Sequence, residues 1–392
     1  MRSAPACRAS PSTASGGWTS GPSPSEARLH GLSGRAGRLA TDSAATGGEA
    51  ALSSLQLFVA RRVLLLGPML VGITLLSFVL SQAIPADPVT TNLGEQAAGD
   101  PQVVAAFRHE WGLDRPLPAQ YAVYLWNLAH GNLGISISTR QTVWLDLQQR
   151  FPATVELAVV AMALSILIGV PIGILSAVKR GTLVDQVARV GALVGVSVPL
   201  FWLGLVALLV FYARLGWAPA PGRLGATIPA PPLVTGFLLV DALLAGRVDA
   251  ALDALHHLVL PAVVLSTYNL GVLARLMRGS ILDVLAEDYV RTARAKGLDE
   301  RAVTLRHATR NALIPVVTVI GLGFGRLLSG AVIIESVFAW PGLGLYAFRS
   351  ATSLDFPAIM GVGIVIAVVY LVANLLVDLA YAVVDPRIQV GA

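Results

Sequence analysis

Between Arg275 and Arg310 the chain places eight cations beside long apolar runs: Arg275, Arg278, Arg291, Arg294, Lys296, Arg301, Arg306 and Arg310. Their chemistry is ionic pairing, in which guanidinium groups hold carboxylates or phosphates through forked N–H donors. The most ordered-looking part, EDYVRTARAKGLDERAVTLRHATRNALIP from Glu287 to Pro315, reads as helix, glycine turn, helix. Leu282, Leu285, Tyr289 and Ala293 recur at helical spacing, so one face is apolar or small while Asp288, Arg291 and Arg294 lie elsewhere. Gly297, after Lys296, is a helix stop, and Asp299 suits the N-cap of a second helix running to about Arg310. Ala293, Ala295 and Gly297 permit close backbone approach. Two readings fit: a compact knob seated in a partner's groove, its cations on acidic rim groups, or an amphipathic loop held by anionic lipid.

Other polar groups are sparse. Arg326 stands inside an apolar run about 13 residues from its start, roughly 20 Å at 1.5 Å per residue. A cation near mid-bilayer costs at least about 2.5 kcal/mol even on insertion scales, so it must face protein or water. It either lines a path and attracts a carboxylate, or pairs structurally with a group such as Asn374 or with another chain. Glu156, Glu335 and Asp378 sit near the ends of apolar runs, where carboxylates tolerate solvent, and read as structural. His256 and His257 are adjacent, hence about 100° apart on a helix, and make a poor joint metal site. Trp111, Trp126, Trp144 and Trp217 suit interface anchoring. No Gly-x4-Gly-Lys-Ser/Thr phosphate loop occurs, so no nucleotide site is expected, and the cluster Gly321, Gly323 and Gly325 suits close helix packing instead. No cofactor or metal site is expected in this chain.

The elements that must carry these groups are membrane spans. Charged residues are 13% and hydrophobic ones 55%, against roughly 25% charge in a soluble domain. The net charge of +5 therefore does not mark a nucleic-acid binder, because no soluble basic domain exists to bear it. Cys7 is the only cysteine, which excludes internal disulfides and cysteine metal clusters. Six runs are long enough for a hydrocarbon core of about 30 Å: Leu64–Ile84, Ala153–Val178, Val190–Tyr212, Leu258–Met277, Leu313–Phe338 and Ala358–Val384. Leu233–Leu244 is too short, contains Asp241, and reads as an interfacial or re-entrant piece on the outside. Arg61 and Arg62, then Lys179, Arg180 and Arg189, share a side with the loop from Arg278 to Arg310; the positive-inside rule makes that side cytoplasmic, with both termini there. Residues 1–53 are rich in Ser, Gly, Ala and Pro and read as a disordered tail or a misassigned start. The rest, 54–388, is one transmembrane domain with a long outer loop over 85–151.

The charged segment resembles the EAA loop of ABC-importer permeases, and its wording, EDYVRTARAKGL followed by RHATRNALIPV, is similar to the dipeptide/oligopeptide/nickel branch. The resemblance runs from about Leu55 to Ile388 through several motifs: IPADP (Ile84–Pro88), GLDRPLPAQYAVYLWNLAHGNLGIS (Gly112–Ser136), FPATVELA (Phe151–Ala158), SVPLFWLGL (Ser197–Leu205), ESVFAWPGLG (Glu335–Gly344) and NLLVDLAYAVVDPRI (Asn374–Ile388). It implies an all-α polytopic permease of the bacterial inner membrane, paired with a second homologous permease. Two cytoplasmic ATPase subunits, which bind the ATP, would dock on the loop at 287–311, and an extracytoplasmic substrate-binding protein would deliver cargo to the outer loop. Carried onto this chain, the coupling residues are Glu287, Tyr289, Arg291, Ala293, Arg294, Ala295, Lys296 and Gly297. The chain departs from the general EAA pattern at Arg291, where a glutamate usually stands, and lacks the closing Ile-x-Leu-Pro at its usual distance; both look like the peptide branch's variant. Dipeptides or short oligopeptides lead as cargo, followed by nickel or a glutathione-like peptide. An ion-coupled secondary transporter is the rival of another class, set back by the absence of a clear internal repeat and of deep acids. A membrane-embedded enzyme lacks a catalytic constellation.

Overall fold

Apolar runs that must bury every backbone N–H and C=O in hydrocarbon can do so only as helices or closed barrels, and here they are helices. The computed structural model describes residues 64, 67–76, 78–79, 99–110 and 112–384; all belong to one unit, Arg61–Gln389. The tail expected over 1–53 and parts of the first span Leu64–Ile84 lie outside the described residues, as does Trp111. In chain order the helices are α1 (Gly67–Leu76), α2 (Pro101–Glu110), α3 (Leu117–Ala129), α4 (Val143–Val178), α5 (Leu183–Ser197) and α6 (Leu200–Ala207). They continue with α7 (Leu238–Leu244), α8 (Val248–Leu285), α9 (Asp288–Ala295), α10 (Glu300–Ala302), α11 (Thr309–Val337), α12 (Leu343–Thr352) and α13 (Phe356–Val384).

Among the described residues, four helical stretches are long and apolar enough to cross a membrane: Val143–Val178, Val248–Leu285, Glu300–Leu328 and Phe356–Leu375. The expected third span, Val190–Tyr212, is not a straight rod. It breaks into α5 and α6, whose wide-turn continuation reaches Arg214, with a bend of 104°. The cause is local: Val198 precedes Pro199, whose ring disfavours helical backbone at the residue before it, and both are extended, with ψ of 128° and 132°. Two other spans begin well before their apolar runs, each by about three helical turns. α4 starts at Val143 instead of Ala153, and α8 at Val248 instead of Leu258. Their leading turns carry charges that are paired nonetheless, Asp146 by Tyr346 and its own Arg150, Asp253 by the Gly225 N–H, and Asp249 by the adjoining Arg247, so hydropathy alone undercounts the helix.

Close approach organises the bundle. Helices in lipid gain little from excluding water between them and associate through packing, which small residues deepen. A Cβ on Gly173 of α4 would lie 2.7 Å from both the Ala274 carbonyl oxygen and Met277 Cβ of α8. On the other flank of α8, a Cβ on Gly271 would lie 2.6 Å from the Ala192 carbonyl oxygen of α5. α8 is thus wedged between α4 and α5 with backbones nearly touching. α11 closes the same core, where Leu157, Ala161, Leu258, Leu265, Leu327, Ala331 and Ile334 are fully buried.

Candidate functional site

The charged loop folds into a knob at one end of this bundle. α8 stops at Leu285, and α9 starts afresh after Glu287. At the far end of α9, Gly297 adopts φ +78°, donates to the Arg294 carbonyl at 2.9 Å, and is followed by Leu298 donating to the Ala293 carbonyl at 3.4 Å. This is the glycine C-cap in which two orphan carbonyls are satisfied by a left-handed residue. Asp299 then caps α10, its Oδ2 accepting from the Arg301 N–H at 3.3 Å. The helix stop and the N-cap expected from sequence are therefore present.

Two expectations for the knob need correction. The second helix does not end near Arg310: α10 passes through a wide turn at Val303–Ala308 directly into α11. The buried stripe also differs, because the chain restarts at Glu287 and its helical phase is reset. Val290 and Ala293 are buried with Val303 against Val284 and Leu285, whereas Tyr289 points outward at 41% exposure, its hydroxyl accepting from Asn311 Nδ2 at 2.7 Å. Glu287, Tyr289, Arg291, Arg294, Ala295, Lys296 and Gly297 are exposed and Ala293 is not. Arg294 spans the turn to Glu300 at 2.7 Å, and Arg291 makes a loose pair with Asp288 at 3.3 Å. The knob is therefore stitched internally, presents its cations outward, and is joined without a break to α11.

The same end holds a second ionic tie. Asp185, in the first turn of α5, is 1% exposed and accepts from Arg278 Nε at 2.8 Å, Arg278 Nη2 at 3.0 Å, the Ser176 hydroxyl at 2.6 Å and the Gly181 N–H at 3.0 Å. One carboxylate thus fixes the ends of α4, α5 and α8 just before the knob.

The opposite end carries a buried polar network that sequence reasoning placed at solvent-tolerant span ends. Glu156 is 8% exposed and Glu335 is fully buried, so that expectation is corrected. Glu156 accepts from Arg223 Nη2 at 2.5 Å and Nε at 3.2 Å, and from the Leu239 N–H at 3.1 Å. Arg223 also lies 5.6 Å from the centre of the Trp340 ring, and Trp340 donates its indole N–H to the Ala153 carbonyl at 2.9 Å. Glu335 accepts from the Thr154 hydroxyl at 2.6 Å and the Leu345 N–H at 2.9 Å, which aims its carboxylate at the start of α12. A side chain at Gly342 would collide with Glu335 and Thr154, and one at Gly344 with the Val332 backbone, so the PGLG run is what lets α12 close over that carboxylate.

The loop before α4 and the segment between α12 and α13 are built on the same plan. Asp355 is fully buried and takes bonds from the Ser136 hydroxyl at 2.5 Å and the Ser138 N–H at 3.0 Å. Asp146 accepts from Thr139 at 2.6 Å and from the Tyr346 hydroxyl at 2.9 Å, and pairs with Arg150. The short run with Asp241 forms α7; burial opposes the charge of Asp241, yet the Thr235 hydroxyl and the N–H groups of Thr235, Gly236 and Val234 hold its carboxyl below the ordinary value. A cavity of about 440 Å³ opens between α3, residues 132–137 and the start of α13, lined by Arg115, Gln120, Tyr124, Asn127 and Asn132 among others. Tyr124 Oη there is buried with no partner among the described residues.

His256 bonds the Trp217 carbonyl at 2.8 Å and His257 that of Asp253 at 2.9 Å, so the two rings serve different neighbours. Trp126, Trp144 and Trp217 are exposed at 68%, 55% and 67%. Asp378 falls on α13 beyond the described side chains. Arg326 is exposed on α11, and none of the bonds of the described residues joins it to Asn374, which removes that structural pairing within the chain. Arg223 and Asp355 were not legible as site residues: the carboxylate or helix each serves lies far away in sequence. Trp340 did carry a signal, the ESVFAWPGLG run, but its indole partner did not.

Profiles of two families match the chain. One, described as binding-protein-dependent transport system inner membrane component, covers residues 169–390; the other, its N-terminal counterpart, covers residues 55–158. A curated relative, the di/tripeptide transport system permease protein DppB of Pseudomonas aeruginosa (strain UCBPP-PA14), is 46% identical over 85% of this chain and 98% of its own length. The probable D,D-dipeptide transport system permease protein DdpB of Escherichia coli (strain K12) is 46% identical over 82% and 94%, and the dipeptide permease DppB of that strain 44% over 85% and 98%. Among solved structures, a chain of the MetNI methionine ABC transporter in an inward-facing conformation aligns with a TM-score of 0.42 at 16% identity, over 67% of this chain and 97% of that one. With most of its length matched by both profiles and relatives, the chain belongs to the inner-membrane components of binding-protein-dependent transport systems.

Proposed function

We propose that the chain is one of two channel-forming subunits of an ABC importer for dipeptides or short oligopeptides. The observation that carries this is the knob: a capped helix–glycine–helix unit presenting Arg291, Arg294, Ala295 and Lys296 outward and continuous with α11. A unit so joined transmits displacement as a lever, because α11 cannot stay still when the turn at its root moves. Two cytoplasmic ATPase subunits dock on residues 287–311 of this chain and of a second homologous permease. A binding protein outside presents cargo to the loop over 85–151. In this arrangement α1, α4, the bent α5–α6 pair, α8, α10–α11 and α13 make six crossings, with both termini in the cytoplasm, the side on which the knob's cations obey the positive-inside rule. ATP belongs to the partners, and the two end states are populations shifted by nucleotide and by loaded binding protein. Dipeptide cargo is preferred to nickel or a glutathione-like peptide because the relatives at 44–46% identity are named for dipeptides or di- and tripeptides. The family leaves no room for an ion-coupled secondary transporter.

The test is co-purification of the chain with its sister permease and ATPases, comparing wild type with Ala295→Asp/Lys296→Glu. Both positions are exposed and neither needs the left-handed backbone of Gly297, so folding is spared. Wild type is expected to retain the ATPases and the double variant to lose them while keeping the sister permease. Retention by both would remove the coupling role.

A further inference from the structure

Arg326 and Arg275 are the two cations within the six apolar runs, and Arg275 lies near the end of its run. Arg326 lies near the middle of its own, with about 18 Å of helix on one side and about 20 Å on the other at 1.5 Å per residue. The faces of α11 that meet the bundle are fixed by close contacts. A Cβ on Gly323 would press on Asn269 of α8 at 3.2 Å and Met162 of α4 at 3.3 Å, and one on Gly325 would strike the Tyr370 ring of α13. Leu327 and Leu328 are buried at 2% and 5%. Arg326 therefore projects on the remaining side. It shares that side with Asn311, Pro315, Leu322 and Ile333, which are exposed and recur at intervals of four and seven residues as one helical stripe, while Arg310, also exposed on α11, lies on another face beside the knob.

The stripe starts at the knob, where Asn311 bonds Tyr289, and runs past Arg326 toward the far end. A bare guanidinium at that depth cannot face hydrocarbon, and the fold supplies it no hydrogen-bond or ion-pair partner among the described residues. The stripe consequently faces water or protein, and no anion among the described residues meets the cation.

Building on the proposed cargo, we infer that Arg326 is a substrate-binding residue of the translocation path, its guanidinium receiving the free carboxylate of a passing peptide. A forked donor suits a carboxylate in two parallel hydrogen bonds. Placed midway, it offers the anion one compensated stop in a low-dielectric channel, in line with the helix the ATPases move.

The experiment reconstitutes the permease pair with its ATPases in liposomes, adds the binding protein, and measures uptake of a labelled dipeptide, ATP hydrolysis and subunit co-elution. Wild type, Arg326→Gln and Arg326→Lys are compared. Both variants are expected to co-elute with all partners and to keep hydrolysis stimulated by the loaded binding protein. Uptake is expected to fall about tenfold or more in Arg326→Gln, the worth of one charge-assisted bond, and to recover in part in Arg326→Lys. Unchanged uptake by an assembled Arg326→Gln complex overturns the inference. So does loss of assembly in Arg326→Gln, whether or not Lys restores it, since that assigns the cation to a contact between subunits. A wild type that hydrolyses ATP but accumulates no dipeptide overturns the cargo reading itself, and the carboxylate role falls with it.

Discussion

Replacing Arg223 with methionine isolates the energetics of the buried network around Glu156. Glu156 is 8% exposed, and its charge is held by two nitrogens of Arg223 and one backbone N–H from Leu239. Arg223, at 14% exposure, also donates to the Gly236 carbonyl at 3.1 Å, so it pins the segment around residues 223–239 to α4. Arg223→Met leaves a buried carboxylate with one donor, and removal of one partner from a buried pair costs about 3–5 kcal/mol. Removing the charge as well, in Arg223→Met/Glu156→Gln, exchanges that penalty for lost neutral hydrogen bonds of about 1 kcal/mol each. The double variant is therefore expected to be more stable than Arg223→Met alone, with a coupling of about 2 kcal/mol or more between the sites. Denaturant titration in SDS, followed by the monodisperse fraction on size exclusion, measures it. Simple additivity of the two single changes, or a loss below about 1 kcal/mol in Arg223→Met, would refute the reasoning, since either means that Glu156 is solvated in the folded protein.

Two further outcomes are expected. Gly173→Val thrusts a branched side chain into the Ala274 backbone, where even a Cβ would sit at 2.7 Å; α4 and α8 must separate, at about 1–3 kcal/mol for overpacking, and the yield of assembled complex should drop while Gly191→Val, which meets nothing within 4 Å, leaves it unchanged. Asp241 has a depressed carboxyl pKa in the folded chain, so its stabilisation is present above the unfolded value near 4 and is lost as pH falls through the lower folded one; the melting-temperature gap between wild type and Asp241→Asn should narrow in acid, and a gap that widens below pH 4 would contradict the bonding described.

Local features of the chain were legible because their causes are local. The apolar runs had to be helices, Gly297 and Asp299 had to stop one helix and start another, and the cation density located the knob, since each depends on a few adjacent residues. The break at Val198 and Pro199 belongs to the same class, and was hidden only because hydropathy averages over it. What periodicity misplaced was the phase of α9: one nonhelical junction at Glu287 turned Tyr289 outward and Val290 inward.

The tertiary structure alone decided which polar groups are buried and what they serve. Glu156 meets Arg223 across 67 residues, Thr154 meets Glu335 across 181, and Ser136 meets Asp355 across 219. A carboxylate's environment is set by whatever the chain brings to it, not by its neighbours in sequence, so the same residue reads as solvent-tolerant on paper and is enclosed in the fold. Arg326 shows the converse. Sequence gave its depth, through helix rise and the length of an apolar run; only packing of Gly323 and Gly325 against α4, α8 and α13 fixed the direction in which its charge points.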